Sequence, residues 1–164
     1  MNLYFRALLL ILISLGLAPQ AFSSLDQIQL PSLKNEATVN MADFHGKIVL
    51  FSFFEPNCPW CHRQMKVFNQ IQSACDEGLQ PISVGIHGTE QKLKSELRRA
   101  KVQYPAVKGT AALIQLTGEI DATPFTLAFE PDGQLLFTWL GYMKFERIQE
   151  LFPELCPITE SQTG

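Results

Sequence analysis

Cys58-Pro59-Trp60-Cys61-His62 is the stretch whose reading decides the fold. Its two cysteines, three apart, stand where the apolar run Ile48–Phe54 gives way, after a short link, to a helical pattern. A thiol in the first turn of a helix meets the positive end of the helix dipole and unpaired backbone N–H groups. Both favour the thiolate, which is the reactive form. Pro59 suits the first helical position, where its missing N–H is not needed. Cys58 is therefore the expected attacking thiol. Cys61, one turn in and facing the core, is the expected resolving thiol. The same residues also spell C-x-x-C-H, the attachment pattern for c-type haem with His62 as a ligand. A static disulfide or half of a zinc site is a third reading, although zinc asks for a second pair at ligand spacing and no second C-x-x-C exists.

The sequence on either side narrows the choice. Ile48–Phe54 is β-branched and aromatic and apolar on both parities, which predicts a strand buried on both faces. After it, Cys61, Met65, Phe68, Ile71 and Cys75 recur at helical spacing and form one stripe. Gly78 ends that helix, and residues 81–86 read as a second buried strand. Strand, helix and strand joined by short links make a βαβ unit with parallel strands. Upstream, Ile28, Leu30 and Leu33, a turn at Lys34-Asn35-Glu36, and Thr38-Val39-Asn40-Met41 predict a β-hairpin, followed by a polar loop at residues 43–47.

Downstream, Thr89 caps a helix carrying Leu93, Leu97 and Ala100. Residues 103–107 read as extended, residues 110–116 as a short helix closed by Gly118, and residues 120–129 as a strand. Glu130-Pro131-Asp132-Gly133-Gln134 is a hairpin turn, residues 135–140 return, and Phe145, Ile148, Leu151 and Phe152 line a last helix. Trp139 is expected in the core. His45 and His87 read as loop residues without a partner.

With 164 residues, 46% hydrophobic and 18% charged, the chain has one domain's worth of sequence. The net charge of −3 and the mixed signs along residues 92–101, a solvated helix face, exclude a nucleic-acid footprint. Arg6, an apolar run of 11 residues at 7–17, Pro19, and the small residues Ala21, Ser23 and Ser24 give residues 1–23 the shape of an export signal. A spanning helix needs about 20 apolar residues, so membrane association is expected only if this segment stays uncleaved. No cysteine lies near residue 20, which argues against a lipid anchor. The chain is thus divided into a signal at 1–23 and a single domain at 24–164. Outside the cytoplasm disulfides persist, and four cysteines can form two bridges in three pairings. A C-x-x-C pair with its own chemistry leaves Cys75 and Cys156 for each other.

The order βαβ, helix, β-hairpin, helix, with a dithiol at the first strand-to-helix junction, resembles the thioredoxin fold. Within it, the chain resembles the exported TlpA-like thioredoxins from about Asp26 to Phe152. The motifs that carry the likeness are the lead-in hairpin, Asp43-Phe44-His45-Gly46-Lys47 with the strand after it, Cys58 to Cys61, Tyr104-Pro105, Thr123-Pro124 and Pro131-Asp132-Gly133. The resemblance implies an α/β fold, a central mixed sheet flanked by helices, with the β-hairpin as an N-terminal extension. It implies thiol:disulfide exchange with no cofactor and no metal. It also implies a cis peptide at Thr123-Pro124 that packs against the dithiol and offers its backbone to an extended substrate. In that fold the dithiol helix and the last helix run side by side, which brings Cys75 and Cys156 together as a structural disulfide. The implied partners are exported proteins with cysteines or disulfides, such as cytochrome c apoproteins, and an upstream membrane reductant.

The chain departs from the pattern at three positions. Asn57 replaces the usual Trp before the first cysteine, Ser52 replaces a buried Asp or Asn, and Gln64 stands where several members carry an acid. The remaining nearby acid, Glu55, reads as a solvated loop residue, with proton relay as the alternative. Trp60 reads as an exposed aromatic on the rim, either a partner contact or a plain surface residue. These changes leave both directions of electron flow open: reduction of partners, or disulfide formation and isomerisation. Because Cys61 sits on a buried stripe it leaves no room for a porphyrin, so a haem carrier is the remote reading, and His62 is expected to act on the thiolate electrostatically if at all.

Overall fold

The computed structural model describes residues 25–158; the segment read as an export signal lies outside the described residues. Two short strands, β1 (Gln29–Pro31) and β2 (Thr38–Asn40), pair antiparallel with Leu30 opposite Val39. The Ser32 hydroxyl accepts the Lys34 N–H and helps close their turn. A 3-10 turn at Met41–Phe44, capped by the Asn40 side chain, takes up part of the expected polar loop, because Met41 is pulled into the core.

The rest of the described chain builds one mixed sheet. β3 (Ile48–Phe54) leads into α1 (Pro59–Ala74), followed by β4 (Leu79–Gly85), α2 (Glu90–Ala100), β5 (Ala106–Lys108), α3 (Ala111–Thr117), β6 (Phe125–Phe129), β7 (Leu135–Leu140) and α4 (Phe145–Leu151). The strand order is β5-β4-β3-β6-β7, with β3 at the centre. β4 lies parallel to β3 and to β5, while β6 is antiparallel to β3 and to β7. This is the α/β architecture expected of the sequence, including the two-stranded extension.

The central strand is apolar on both parities because both faces are covered. Val49, Phe51 and Phe53 point to the side of the hairpin and α3, where they meet Leu30, Met41 and Leu113. Leu50 points to the opposite side, among Val67, Phe68 and Ile71 of α1 and Phe145 and Ile148 of α4. Phe54 joins Cys61 and Met65 of α1 and Leu93 and Leu97 of α2. At about 1.5–3 kcal/mol for each fully buried large apolar side chain, these layers are the main stabilising term.

Three expectations need adjustment. Trp139 is half-buried rather than core: β7 is an edge strand, and the Arg147 guanidinium lies 5.7 Å from the ring centroid on its open side. Of residues 103–107, only the last two join the ladder, since Tyr104 turns inward to pack on Phe68. The strand expected from residue 120 begins at Phe125, after Pro124, which has no N–H to give a ladder.

Candidate active site

The loop between β3 and α1 sets up the dithiol. Asn57 takes a left-handed backbone conformation, φ 62°, which Asn adopts more readily than most residues. This is a local reason for Asn where the resembled fold has Trp. Its N–H donates to Glu96 Oε1 of α2 at 3.4 Å, and Arg99 holds the other carboxylate oxygen at 3.1 Å. The helix face read as merely solvated therefore pins the approach to the dithiol.

Cys58 is the N-cap of α1 and Pro59 opens the helix. The Cys58 sulfur accepts the Cys61 N–H at 3.1 Å, satisfying one of the orphan donors of the first turn. Cys58 is part-exposed, whereas Cys61 is 2% exposed under the helix. The two are joined in a disulfide, with Cα atoms 5.2 Å apart.

Thr123 and Pro124 come to this dithiol from the other end of the chain. The peptide between them is cis, and Pro124 is buried. The Cys58 sulfur lies 3.8 Å from the Thr123 carbonyl oxygen and 3.6 Å from its Oγ1. The Thr123 hydroxyl donates to Glu55 Oε1 at 2.9 Å, and Glu55 Oε2 lies 3.4 Å from His87 Nδ1. Glu55 is thus not a free loop residue, and His87 has a partner after all. No local signal reports either contact, because Glu55 and Thr123 are 68 residues apart in sequence.

On the other side of Cys58 a groove of about 490 Å³ is lined by Asn57, His62, Arg63, Lys66 and Arg99. Trp60 stands on the rim, 51% exposed, with the Arg63 guanidinium 4.4 Å from its ring centroid and Tyr142 at 5.9 Å. A groove of about 650 Å³ lies between α3 and the β6–β7 hairpin and does not reach the dithiol. Gln64, where several members of the resembled family carry an acid, is 1% exposed, and its Oε1 accepts the Met143 N–H at 2.7 Å. Ser52 is buried opposite Thr126 of β6. Cys75 and Cys156 form a second disulfide, away from the first, at the end of α1. Among the described residues no cluster of His, Cys, Asp and Glu is arranged to hold a metal, and no helix is long and apolar enough to cross a membrane.

Residues 35–155 match the family described as a thioredoxin-like domain. The chain belongs to the thioredoxin-like family. Among its relatives is the thiol-disulfide oxidoreductase ResA of Oceanobacillus iheyensis, 20% identical over 124 residues. That match covers 75% of this chain and 65% of the relative, so the chain spans somewhat less than two thirds of the relative's length. Among solved structures, a thioredoxin family thiol:disulfide interchange protein from Chlorobium tepidum superposes with a TM-score of 0.69 at 15% identity, over 82% of this chain and 96% of that one. A secreted Mycobacterium tuberculosis disulfide oxidoreductase superposes with a TM-score of 0.64 at 15% identity, over 76% and 92%. These two likenesses concern the thioredoxin-like fold.

Proposed function

We propose that this chain is an exported thiol:disulfide oxidoreductase that reduces disulfides of partner proteins. In this reading residues 1–23 direct export and residues 24–164 form one thioredoxin-like domain. The observation that carries it is the placement of Cys58 and Cys61: one sulfur part-exposed at a helix N-terminus, the other buried beneath it, with the Thr123-Pro124 peptide against the first. The names of the relatives point to the same chemistry.

The steps follow from that placement. The Cys58 thiolate attacks one sulfur of a partner disulfide; a mixed disulfide forms and the partner's other sulfur leaves as a thiolate. The Cys61 thiolate then attacks the Cys58 sulfur, the mixed disulfide breaks, and the partner leaves with two thiols. Two electrons pass to the partner, and the Cys58–Cys61 bridge closes. An upstream membrane reductant must reopen it. The partner backbone lies along Thr123-Pro124 while Cys58 reacts. Cysteines of exported proteins, including cytochrome c apoproteins, are the substrate class.

Direction is tested by titrating the dithiol in glutathione buffers. A potential near thioredoxin's, about −270 mV, is the expected result; one near about −120 mV makes the chain a disulfide-forming oxidase instead. A pair that does not exchange with glutathione at any ratio overturns the oxidoreductase reading.

A further inference from the structure

Around Cys58 one hydroxyl hydrogen has two claimants. Thr123 Oγ1 carries a single hydrogen and two lone pairs. It lies 2.9 Å from Glu55 Oε1 and 3.6 Å from the Cys58 sulfur. An ionised carboxylate only accepts, so the hydrogen goes to Glu55, and the sulfur faces the lone pairs of Oγ1. We propose that Glu55 raises the proton affinity of reduced Cys58 by diverting the Thr123 hydroxyl, and that this makes the dithiol a better electron donor. Glu55 is here a positioning residue, since it acts on the sulfur through Thr123.

With the hydroxyl turned away, a thiolate at Cys58 loses that donor and keeps the Cys61 N–H, 3.1 Å off, and the helix dipole. A thiol, in contrast, can donate its hydrogen to the Thr123 oxygen. Glu55 therefore opposes the stabilisation that the helix start gives the thiolate. A less stabilised reduced form releases its two electrons and two protons more readily as the Cys58–Cys61 bridge closes. His87 supports the arrangement by holding the second carboxylate oxygen. Its loop is pressed onto Pro56: a Cβ added at Gly88 would lie 2.6 Å from Pro56 Cγ. The other charged groups beside Cys58 are those of the groove, Arg63, Lys66 and the Glu96–Arg99 pair, with His62 among them. They lie on its other side and stay in place when Glu55 is changed.

The inference rests on the redox reading of the dithiol, and its test reads Cys58 directly. In reduced full-length protein, the pH midpoint for alkylation of Cys58 is followed by peptide mass. A hydrogen bond to a charged group changes an equilibrium about tenfold, so Glu55→Ala is expected to lower the midpoint by about one pKa unit. Glu55→Leu, which keeps most of the volume and has no acceptor, lowers it in the same sense. In a Thr123→Val background, Glu55→Ala moves the midpoint by only a fraction of that. An unchanged or raised midpoint in either Glu55 variant, or an equal shift with and without the hydroxyl, overturns the proposal. The alkylation readout does not depend on turnover with partner proteins, so inactivity toward partners with the expected midpoints would overturn the functional reading alone.

Discussion

Cys75 closes the dithiol helix and is bridged to Cys156, 81 residues further along the chain, just beyond the last helix. The bridge joins the two helices that cover one face of β3, and the Asp76 N–H, donating to the Leu155 carbonyl at 2.6 Å, reinforces the same junction. In the chain-entropy model a loop of this length contributes about 4 kcal/mol. The double variant Cys75→Ser with Cys156→Ser should lose a comparable amount in denaturant unfolding without reductant, with the Cys58–Cys61 pair still exchanging. A loss well under 1 kcal/mol would remove the bridge from the account of stability.

Gln64 ties α1 to the loop before α4 through the Met143 N–H. Replacing it with Leu strands a buried backbone donor, which costs about 1–3 kcal/mol. Equilibrium unfolding of Gln64→Leu checks this. A variant as stable as the parent would mean that the Met143 N–H finds another acceptor.

Burial pushes the Tyr104 phenol well above its ordinary range, an effect partly offset by its hydrogen bond with Ser83. The unfolded chain loses that proton near pH ~10, while the fold retains it. The native state then binds more protons than the unfolded one, so stability falls as pH rises past that point. Tyr104→Phe should flatten the fall. It should also cost about 1–3 kcal/mol at neutral pH, because the Ser83 hydroxyl loses its partner. Unfolding midpoints measured from neutral pH to the alkaline limit test both parts; a slope unchanged in the Phe variant contradicts the assignment.

Trp60 is held open on the rim by Arg63 and Tyr142 and does not enter the core. Trp60→Ala should leave stability within about 0.5 kcal/mol. It should slow reduction of protein disulfides severalfold and leave reduction of a small aromatic disulfide unchanged. Equal rates on the protein substrate would assign Trp60 to the surface alone.

What the sequence made legible was whatever local pattern encodes. The apolar parity of Ile48–Phe54, the Cys61-to-Cys75 stripe, and the cap at Thr89 appear in the structure as strand, helix and cap. At the candidate site, the placement of Cys58 at the helix start and of Cys61 in the buried stripe was legible. It was not legible where side chains meet across the fold. The Glu55–Thr123 and Gln64–Met143 contacts join residues 68 and 79 apart, and His87 reaches Glu55 only because β4 lies beside β3. Trp139 misled for a related reason: a large aromatic in a strand pattern reads as core, and only the strand order shows that β7 is an edge.

The central claim is that Cys58 attacks and Cys61 resolves. Its most direct test is a trap in cells: Cys61→Ala expressed with its full N-terminal segment, thiols blocked without reductant, and the adducts identified by mass. Mixed disulfides through Cys58 to exported cysteine-containing proteins are the expected result, absent from Cys58→Ala. Finding no covalent partner on Cys58, or the same adducts without it, would contradict the claim.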